Sequence, residues 1–289
     1  QYHHTLENEV GDRLKDADVA ITNKVVIDKL VMQNCPNLKL ICVAATGMNN
    51  IDLEYAAIKK IEVKNVPGYS TKSVAQVTWG MILHLFNHVN YYDHYVKSGA
   101  YITNEFFTHV GVCFNELSGK TLGVIGLSTI GKQVAKIAEA FGMKVVYTSI
   151  SNSVHDSVYE RLSLDNLLAK SDVVVIHTPL SPQTKHLINF EKLKLMKSKA
   201  FIVNTSRGGI VVESDLVRAL NENIIAGAGV DVFEGEPIAE NSPYFMVENK
   251  SKMVLSPHIA WASVESRTVL VEKIKENILQ FNSKADSYF

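Results

Sequence analysis

Three charged or titratable residues in the second half of the chain have types that could transfer a proton and bind an anion. They are Arg207, Glu236 and His258, and each follows an apolar run, at 200–204, 225–230 and 253–255. The runs predict buried strands, and ligands in open α/β sheets bind just beyond the carboxyl ends of such strands. A guanidinium can hold an anion while an imidazole moves a proton, so the set predicts an acid–base site.

Each of these residues also has an ordinary structural explanation when it is considered alone. Arg207 is compatible with a surface ion pair, Glu236 with a solvated loop carboxylate and His258 with a hydrogen-bonded loop histidine. His84 and His88 have a spacing that could hold a metal on a helix, but no third ligand is indicated and we expect no metal site. The joint occurrence of the first three residues favours the functional interpretation.

A glycine-rich turn between a predicted strand and a predicted helix lies at residues 121–132. Gly126 and Gly131 match the first and third glycines of the dinucleotide fingerprint G-x-G-x-x-G, whereas Ser128 replaces the middle one. Backbone N–H groups at the helix start would bind a pyrophosphate, and the Ser128 hydroxyl could add a bond to a phosphate oxygen. The alternative is that the glycines only allow close packing in an ordinary strand–helix turn.

The next predicted strand, at 144–148, should end in an acidic residue if the adenosine ribose is bound as in NAD-specific sites. Residues 145–152 contain no carboxylate, and Ser149 occupies the expected position. A 2′-phosphate would not be repelled there, and the sequence indicates no nearby arginine to attract it. The predicted cofactor is therefore NAD(H) or NADP(H), and the choice between them stays open.

Short β-branched runs alternate with helix-period stretches, which predicts parallel sheets joined by right-handed crossovers. The predicted strands are 19–22, 38–43, 61–65, 121–125, 144–148, 173–177, 200–204, 225–230 and 253–255. The predicted helices are 52–60, 71–89, 130–141, 164–170, 213–221 and 263–280. Some strands are apolar at every position, so we expect helices on both faces of the sheets. The fold class is α/β, with two doubly wound parallel sheets.

Length and element order predict two domains. One comprises residues 1–91 and 263–289, and the other, residues 92–262, is inserted into it. We expect the amino-terminal strand of the first domain to be missing from this chain. Residues 91–120 are irregular and aromatic, and their section 104–114 is too apolar for a solvated connector, which predicts a homodimer. The alternative is that these aromatic residues fold into the core of the second domain.

Composition narrows the classes of function. With 29 basic and 30 acidic residues among 289, the net charge is −1, without the basic excess that nucleic-acid binding requires. The longest apolar run, 40–45, is far shorter than the roughly 20 residues of a membrane span. No signal segment opens the chain, and Cys35, Cys42 and Cys113 are unclustered. We expect a cytoplasmic protein without membrane or nucleic-acid partners.

The turn and the three site segments, taken in order, resemble the D-isomer-specific 2-hydroxyacid dehydrogenase family. The resemblance covers nearly the whole chain and includes further segments at 45–52, 66–71 and 177–180. Within the family, residues 73–76 and 257–263 are most similar to glycerate dehydrogenases, also called hydroxypyruvate reductases. The resemblance implies a Rossmann-type cofactor domain inserted in a flavodoxin-like substrate domain, and dimers formed around the connecting segment.

The resemblance also implies a role for each residue of the site. Arg207 would hold the carboxylate and the 2-oxygen of the substrate in a planar fork. His258 would give a proton to the carbonyl oxygen in reduction and take it back in oxidation, while Glu236 would bond the other ring nitrogen. Backbone N–H groups near Thr46 and Gly47 would bind the substrate carboxylate from the opposite wall. The implied cofactor-binding residues are Gly126, Ser128, Thr129, Ile130, Gly131, Ser149, Thr178, Pro179, Thr205, Ser206, Asp231, His258 and Ala260.

Three functions are compatible with this resemblance. The first is NAD(P)-dependent interconversion of a small 2-oxoacid and its D-2-hydroxyacid, with hydroxypyruvate and D-glycerate favoured. The second is a dinucleotide-sensing, co-repressor-like binding protein, against which the lack of a long partner-binding tail counts. The third is a formate-type dehydrogenase, which is disfavoured because such sites pair histidine with glutamine and this chain has Glu236. The exact 2-hydroxyacid stays open, since one pocket methylene is worth only about 1–3 kcal/mol.

Overall fold

The chain forms two compact units in a computed structural model that describes residues 2, 4–150 and 158–286. One unit combines Gln1–Ser70 with Ser263–Phe289, and the other is Thr71–Ala262. The first unit is therefore built from two pieces of the chain that flank the second unit in sequence. Within the described ranges no helix combines the length and the apolar character needed to cross a lipid bilayer.

The described residues form ten β-strands and ten α-helices, numbered here in chain order. The strands are β1 (Val19–Thr22), β2 (Leu40–Val43), β3 (Glu62–Lys64), β4 (Thr121–Ile125), β5 (Lys144–Thr148), β6 (Glu160–Arg161), β7 (Val173–Ile176), β8 (Phe201–Asn204), β9 (Gly227–Val230) and β10 (Met253–Leu255). The helices are α1 (Val10–Leu14), α2 (Lys29–Gln33), α3 (Leu53–Ile58), α4 (Thr71–Phe86), α5 (Val89–Lys97), α6 (Thr129–Ala140), α7 (Leu164–Lys170), α8 (Phe190–Leu193), α9 (Glu213–Asn221) and α10 (Val264–Asp286).

The first unit is a small parallel sheet in the order β1-β2-β3 with helices packed on it. Ile41 and Val43 of β2 join an apolar cluster with residues of α1, α2 and α3. Leu40 and Cys42, which alternate with them along the strand, are fully buried as well, and α10 packs against β2. Burial on both faces explains why this strand is apolar at every position.

The second unit contains seven parallel strands in the order β10-β9-β8-β7-β4-β5-β6. The direction of winding reverses between β4 and β7, as in a Rossmann fold, and ligands bind at the carboxyl ends of strands at such a point. In β7, Val173 and Val175 join the cluster that includes α4 and α6, whereas Val174 and Ile176 join that of α7, α8 and α9. The predicted α/β fold with buried parallel strands is confirmed.

Helix α4 belongs to the second unit, although the sequence analysis assigned residues 71–91 to the first domain. The ring of Trp79 stacks on Phe141 with centroids 4.9 Å apart, and its Nε1 donates to the carbonyl of Val134 at 3.2 Å. The helix also packs against β8 and β9. Because its apolar face is buried on the second sheet, the boundary between the compact units lies after residue 70.

Residues 91–120 are not irregular throughout, because α5 occupies their first part. Helix α4 ends at Phe86. His88, whose φ of 50° lies in the left-handed region, is the N-cap residue of α5. The ring of Tyr95 in α5 stacks on His109 of the following segment with centroids 3.7 Å apart. The sequence analysis also missed α1, α2, α8 and β6, which are too short to produce a clear periodic pattern.

Candidate active site

The turn between β4 and α6 has the backbone conformation that a pyrophosphate-binding loop needs. Gly126 has a φ of 91°, and a Cβ atom there would lie 2.8 Å from the backbone nitrogen of Thr178. Only glycine fits this position, so the turn lies directly against the chain that leaves β7. The two segments meet at the point where this fold binds dinucleotides.

Ser128 caps helix α6 rather than offering its hydroxyl proton to a ligand. Its Oγ accepts a hydrogen bond from the Gly131 nitrogen at 3.3 Å and donates to the His177 carbonyl at 3.2 Å. A hydroxyl has one proton, so the expected bond from Ser128 to a phosphate oxygen is not made in this arrangement. The N–H groups of Thr129 and Ile130, in the first turn of α6, have no acceptor within the helix, and such a helix start can bind an anion.

A cleft of about 590 Å³ lies over this turn. Its walls are Gly126, Leu127, Ser128, Ser149, Ile150, His177, Thr178, Pro179, Ser181, Gln183 and Thr184. The sequence analysis missed Leu127, Ile150, His177, Ser181, Gln183 and Thr184 as candidates. Their only signal was position, since they follow β4, β5 or β7 and so lie at the ligand-binding edge of the sheet.

His177 is a neutral group in the wall of this cleft. Burial lowers the pKa of its imidazole to about 3, because desolvation disfavours the charged ring. Its Nε2 is buried and has no hydrogen-bond partner. The ring adds no positive charge at neutral pH, so the groups of this turn that could attract an anion are backbone N–H groups and the helix dipole.

Ser149 lies directly after β5 in the wall of the cleft, and Arg161 of the neighbouring strand β6 reaches it. Nη2 of Arg161 donates to the carbonyl oxygen of Ser149 at 3.3 Å. The sequence indicated no arginine near this position, and that prediction was wrong. Arg161 is brought here by the pairing of β6 with β5, two strands whose connection in the chain includes residues 151–157, which lie outside the described residues. The end of β5 thus combines a serine in place of a carboxylate with an exposed positive charge.

The loop after β8 is held in one shape by its own side chains. Nδ2 of Asn204 donates to the carbonyl of Arg207 at 2.9 Å, and its Oδ1 accepts from the Ser206 nitrogen at 3.1 Å. Ser206 Oγ donates to the carbonyl of Thr178 at 2.5 Å. These bonds connect the loop to the chain that lines the cleft after β7.

Arg207 leaves this loop half-buried and close to the loop after β9. A Cβ atom at the adjacent Gly208 would lie 1.9 Å from the carbonyl carbon of Phe233, so the two loops touch. Nη1 of Arg207 donates to the carbonyl of Ser206 at 2.7 Å. Among the described residues no carboxylate forms a salt bridge with Arg207, which disfavours the interpretation of this residue as a surface ion pair.

Glu236 and His258, which the sequence predicted as part of an acid–base site, are in hydrogen-bonding contact in the structure. Nδ1 of His258 lies 2.7 Å from Oε2 of Glu236, and Oε1 of Glu236 accepts from the Phe233 nitrogen at 3.1 Å. An ionised carboxylate only accepts, so Nδ1 carries the hydrogen and Nε2 is left for a ligand. The side chains of His258 and Glu236 are 22% and 30% exposed, which leaves the pair partly shielded yet reachable.

Asp231 is fully buried and holds the loop that carries His258. Its Oδ1 accepts from the Ile259 nitrogen at 2.9 Å and from the Ser256 hydroxyl, and its Oδ2 accepts from the Ala260 nitrogen at 2.9 Å. Its backbone carbonyl accepts from the His258 nitrogen at 2.7 Å. The expected contact of Asp231 with the cofactor stays a prediction, and in the structure its carboxylate accepts hydrogen bonds from residues of the His258 loop.

Thr46 and Gly47 follow β2 in the first unit. Thr46 Oγ1 donates to the carbonyl of Val66 at 3.2 Å, and Nδ2 of Asn65 donates to the carbonyl of Thr46 at 2.6 Å. These bonds give the loop a defined shape, and its expected contact with a substrate carboxylate stays a prediction. In the part of the chain that the structure describes, no three His, Cys, Asp or Glu residues are grouped so as to hold a metal ion.

The chain is similar to known proteins over most of its length. A family model described as "D-isomer specific 2-hydroxyacid dehydrogenase, NAD binding domain" matches residues 79–260. A hydroxypyruvate reductase of Blautia hydrogenotrophica is 38% identical over 275 residues, which cover 94% of this chain and 84% of that protein.

Two solved structures with bound dinucleotides share the fold. D-lactate dehydrogenase from Aquifex aeolicus, complexed with NAD and lactic acid, is 32% identical, with a TM-score of 0.82 over 98% of this chain and 87% of that one. An acyclic imino acid reductase in complex with NADPH and D-Arg is 28% identical, with a TM-score of 0.87 over 98% and 89%. By these similarities and its site, the chain belongs to the D-isomer specific 2-hydroxyacid dehydrogenase family and is an NAD(P)-dependent oxidoreductase acting on the CH–OH group of 2-hydroxyacids.

Proposed function

We propose that the enzyme interconverts hydroxypyruvate and D-glycerate. The observation that carries this proposal is the 2.7 Å bond between Glu236 and His258, since the loop of Glu236 also touches the loop of Arg207. The similarity to a hydroxypyruvate reductase supports the choice of substrate within the family. A bound reduced nicotinamide supplies the hydride, and the residues of this chain bind the substrate and move the proton.

Arg207 and His258 divide the work on the substrate. The planar guanidinium of Arg207 donates parallel hydrogen bonds to the carboxylate and the 2-oxygen of a 2-oxoacid, which orients the carbonyl. Nε2 of His258 donates its proton to the 2-oxygen in reduction and accepts the hydroxyl proton in oxidation. Glu236 fixes the orientation of the imidazole, and its negative charge compensates the positive charge of the protonated ring. Backbone N–H groups of Thr46 and Gly47 are proposed to hold the substrate carboxylate as well.

The dinucleotide is proposed to bind in the cleft over the β4–α6 turn, where Gly126 lets the turn lie against the chain that leaves β7. The N–H groups that begin α6 would hold its pyrophosphate, and Ser149 would lie beside its adenosine ribose. The exposed guanidinium of Arg161, 3.3 Å from the Ser149 carbonyl, adds attraction for a 2′-phosphate. We therefore propose that NADPH is accepted and that NADH is used without a carboxylate contact to its ribose.

The proposed activity is tested by following the absorbance of the reduced nicotinamide with hydroxypyruvate, glyoxylate and larger 2-oxoacids, each with NADH and with NADPH. We expect turnover of about 1–10³ per second with hydroxypyruvate, the ordinary range for enzymes. Dinucleotide binding without turnover on any of these substrates would instead support the co-repressor-like function. A higher kcat/KM with a different 2-oxoacid would overturn the choice of hydroxypyruvate as substrate but not the dehydrogenase activity.

Ser149→Asp should shift the cofactor preference towards NADH. A carboxylate there accepts hydrogen bonds from both ribose hydroxyls and repels a 2′-phosphate. The ratio of kcat/KM for NADH to that for NADPH should rise by about tenfold or more, since tenfold corresponds to only about 1.4 kcal/mol. Arg161→Ala is the complementary variant and should weaken NADPH without affecting NADH. A ratio that stays unchanged in both variants would place the ribose elsewhere.

We propose that the enzyme is a homodimer whose contact includes residues 104–114. The side chains of Phe106, Phe107, Val110 and Phe114 in this segment are exposed, Phe107 by 92%. They do not enter the core of the second unit, which disfavours the alternative that the sequence left open. Single exposed apolar residues are common, but a contiguous group of this size is typical of an interface.

The expected result is a dimer mass in light scattering at micromolar concentration. Phe107→Glu places a charge on the most exposed ring of the segment, and this variant should shift the mass towards the monomer. Phe245→Glu, on an exposed ring outside the segment, serves as the control and should leave the dimer intact. A monomer mass for the parent chain would contradict the proposal.

A reducing compartment such as the cytoplasm is the proposed location. Cys35, Cys42 and Cys113 are all free thiols, the first two buried and the third exposed. Burial raises the pKa of the Cys35 and Cys42 thiols, which keeps them protonated and unreactive. Free thiols without disulfides are typical of proteins that work in such a compartment.

A further inference from the structure

We propose that Ser73 is a positioning residue for His258, an inference that rests on the proton-transfer role of His258 in the proposed function. Ser73 lies in the first turn of α4 and is buried. Its hydroxyl donates to the carbonyl oxygen of Ala260 at 2.6 Å. That carbonyl is two residues beyond His258, so the bond ties a helix to the loop that carries the imidazole.

The loop needs such a restraint because His258 has an unfavourable backbone conformation. Its φ is 54°, in the left-handed region that residues with a Cβ atom rarely adopt. Without external bonds, the residue would relax towards negative φ and carry the imidazole away from Glu236. The 2.7 Å contact between the two side chains therefore depends on what holds residues 256–260.

Asp231 and Ser73 hold this loop at successive peptide groups. The carbonyl of Asp231 accepts from the N–H of His258, and its carboxylate accepts from the N–H groups of Ile259 and Ala260. These bonds restrain the peptides on both sides of His258 and the peptide before Ala260. Ser73 donates to the carbonyl of Ala260 and restrains the peptide after it, so it anchors the far end of the loop to α4.

A positioning role differs from a purely structural one in what it changes. The residues that line the dinucleotide cleft do not include Ser73, so its loss should leave dinucleotide affinity unchanged. The proton transfer should slow, because misplacing a reacting group by about 1 Å costs up to about a hundredfold in rate. Loss of a purely structural hydroxyl would instead lower the stability of the fold without slowing proton transfer relative to dinucleotide binding.

The test compares Ser73→Ala with Ser171→Ala. Ser171 is a matched control, because it is also buried and its hydroxyl donates to a carbonyl, that of Leu167, at 2.6 Å. Both variants should lower the melting temperature to a similar extent. Ser73→Ala alone should lower kcat for hydroxypyruvate by about ten- to a hundredfold and raise the solvent deuterium isotope effect on kcat. The Kd for NADPH, from fluorescence titration, should stay unchanged in both.

The conservative variants complete the experiment. Ser73→Thr keeps the hydroxyl and should recover much of the turnover lost in Ser73→Ala. If Ser73→Ala does not fold, Ser73→Cys is compared with Ser171→Ala instead, because a thiol is only a weak hydrogen-bond donor. A normal kcat in the alanine or cysteine variant would overturn the inference, as would an equal loss of kcat in Ser171→Ala or a weakened Kd for NADPH.

His258→Gln, assayed in parallel, separates this inference from the proposed function. Retained turnover in His258→Gln would mean that the proposed role of His258 fails. Abolished turnover in His258→Gln together with normal turnover in Ser73→Ala would overturn the role of Ser73 alone.

Discussion

Replacing Arg207 by lysine should lower kcat/KM for hydroxypyruvate by about a hundredfold, although the positive charge is kept. An ammonium group is a point charge, whereas a guanidinium presents parallel N–H donors in one plane. Lysine can attract the carboxylate but cannot hold the carboxylate and the 2-oxygen in one geometry. Because this grip orients the reacting carbonyl, kcat should fall along with the apparent affinity.

Arg218→Lys is the matched control for this experiment. Nε of Arg218 lies 2.7 Å from Oε1 of Glu222 in an exposed ion pair of the same unit. Such pairs contribute about 0–1 kcal/mol, so the control should keep near-normal turnover and melting temperature. Steady-state kinetics with varied hydroxypyruvate at saturating NADPH measure both variants. A near-normal kcat/KM in Arg207→Lys would remove Arg207 from the site.

Glu236→Gln should lower kcat for the reduction of hydroxypyruvate by about tenfold or more. Oε2 of Glu236 lies 2.7 Å from Nδ1 of His258, and this charge-assisted hydrogen bond fixes the orientation of the imidazole. Glutamine keeps a hydrogen-bond acceptor but removes the charge, so the bond is weaker and the imidazole is held less firmly. Because the same imidazole moves the proton in both directions, reduction and oxidation should slow together.

Glu234→Gln is the control for the Glu236 variant. Oε1 of Glu234 lies 3.0 Å from Nε2 of His186, so this change removes a second carboxylate–imidazole pair from the same loop. Rates are measured in both directions at saturating cofactor, and the Glu234 variant should keep the parental rates. Unchanged rates for Glu236→Gln, or a loss in one direction only, would show that Glu236 does not position His258.

Local patterns were sufficient for the elements that carry the site. Residues 173–176 are apolar at every position because β7 is buried on both faces, and the predicted strand matches to within one residue. The loops of Arg207, Glu236 and His258 each follow a strand whose apolar run is evident in the sequence. Since the carboxyl ends of parallel strands share one edge of a sheet, chain order alone predicted that these residues lie near one another.

Other features depended on which surfaces meet. The helical pattern that begins at residue 71 shows that one face of α4 is buried, but it does not specify the sheet that buries it. The packing of Trp79 on Phe141, together with the contacts of α4 with β8 and β9, assigns this helix to the second unit. From the sequence, the hydroxyl of Ser128 could donate to a phosphate or to a carbonyl. In the structure the turn lies against the chain that follows β7, and the hydroxyl donates to the carbonyl of His177.

The sequence by itself determined the fold class and the succession of most strands along the chain, and it predicted three candidate residues for acid–base and anion-binding chemistry. Apolar periodicity and strand-end position are local signals, and they survive in a single sequence. Only the tertiary structure decided that Arg161 reaches Ser149 and that Ser73 holds Ala260. Hydrogen bonds between residues distant in the chain depend on sheet register and helix packing, and neither leaves a periodic pattern in the residues that form them.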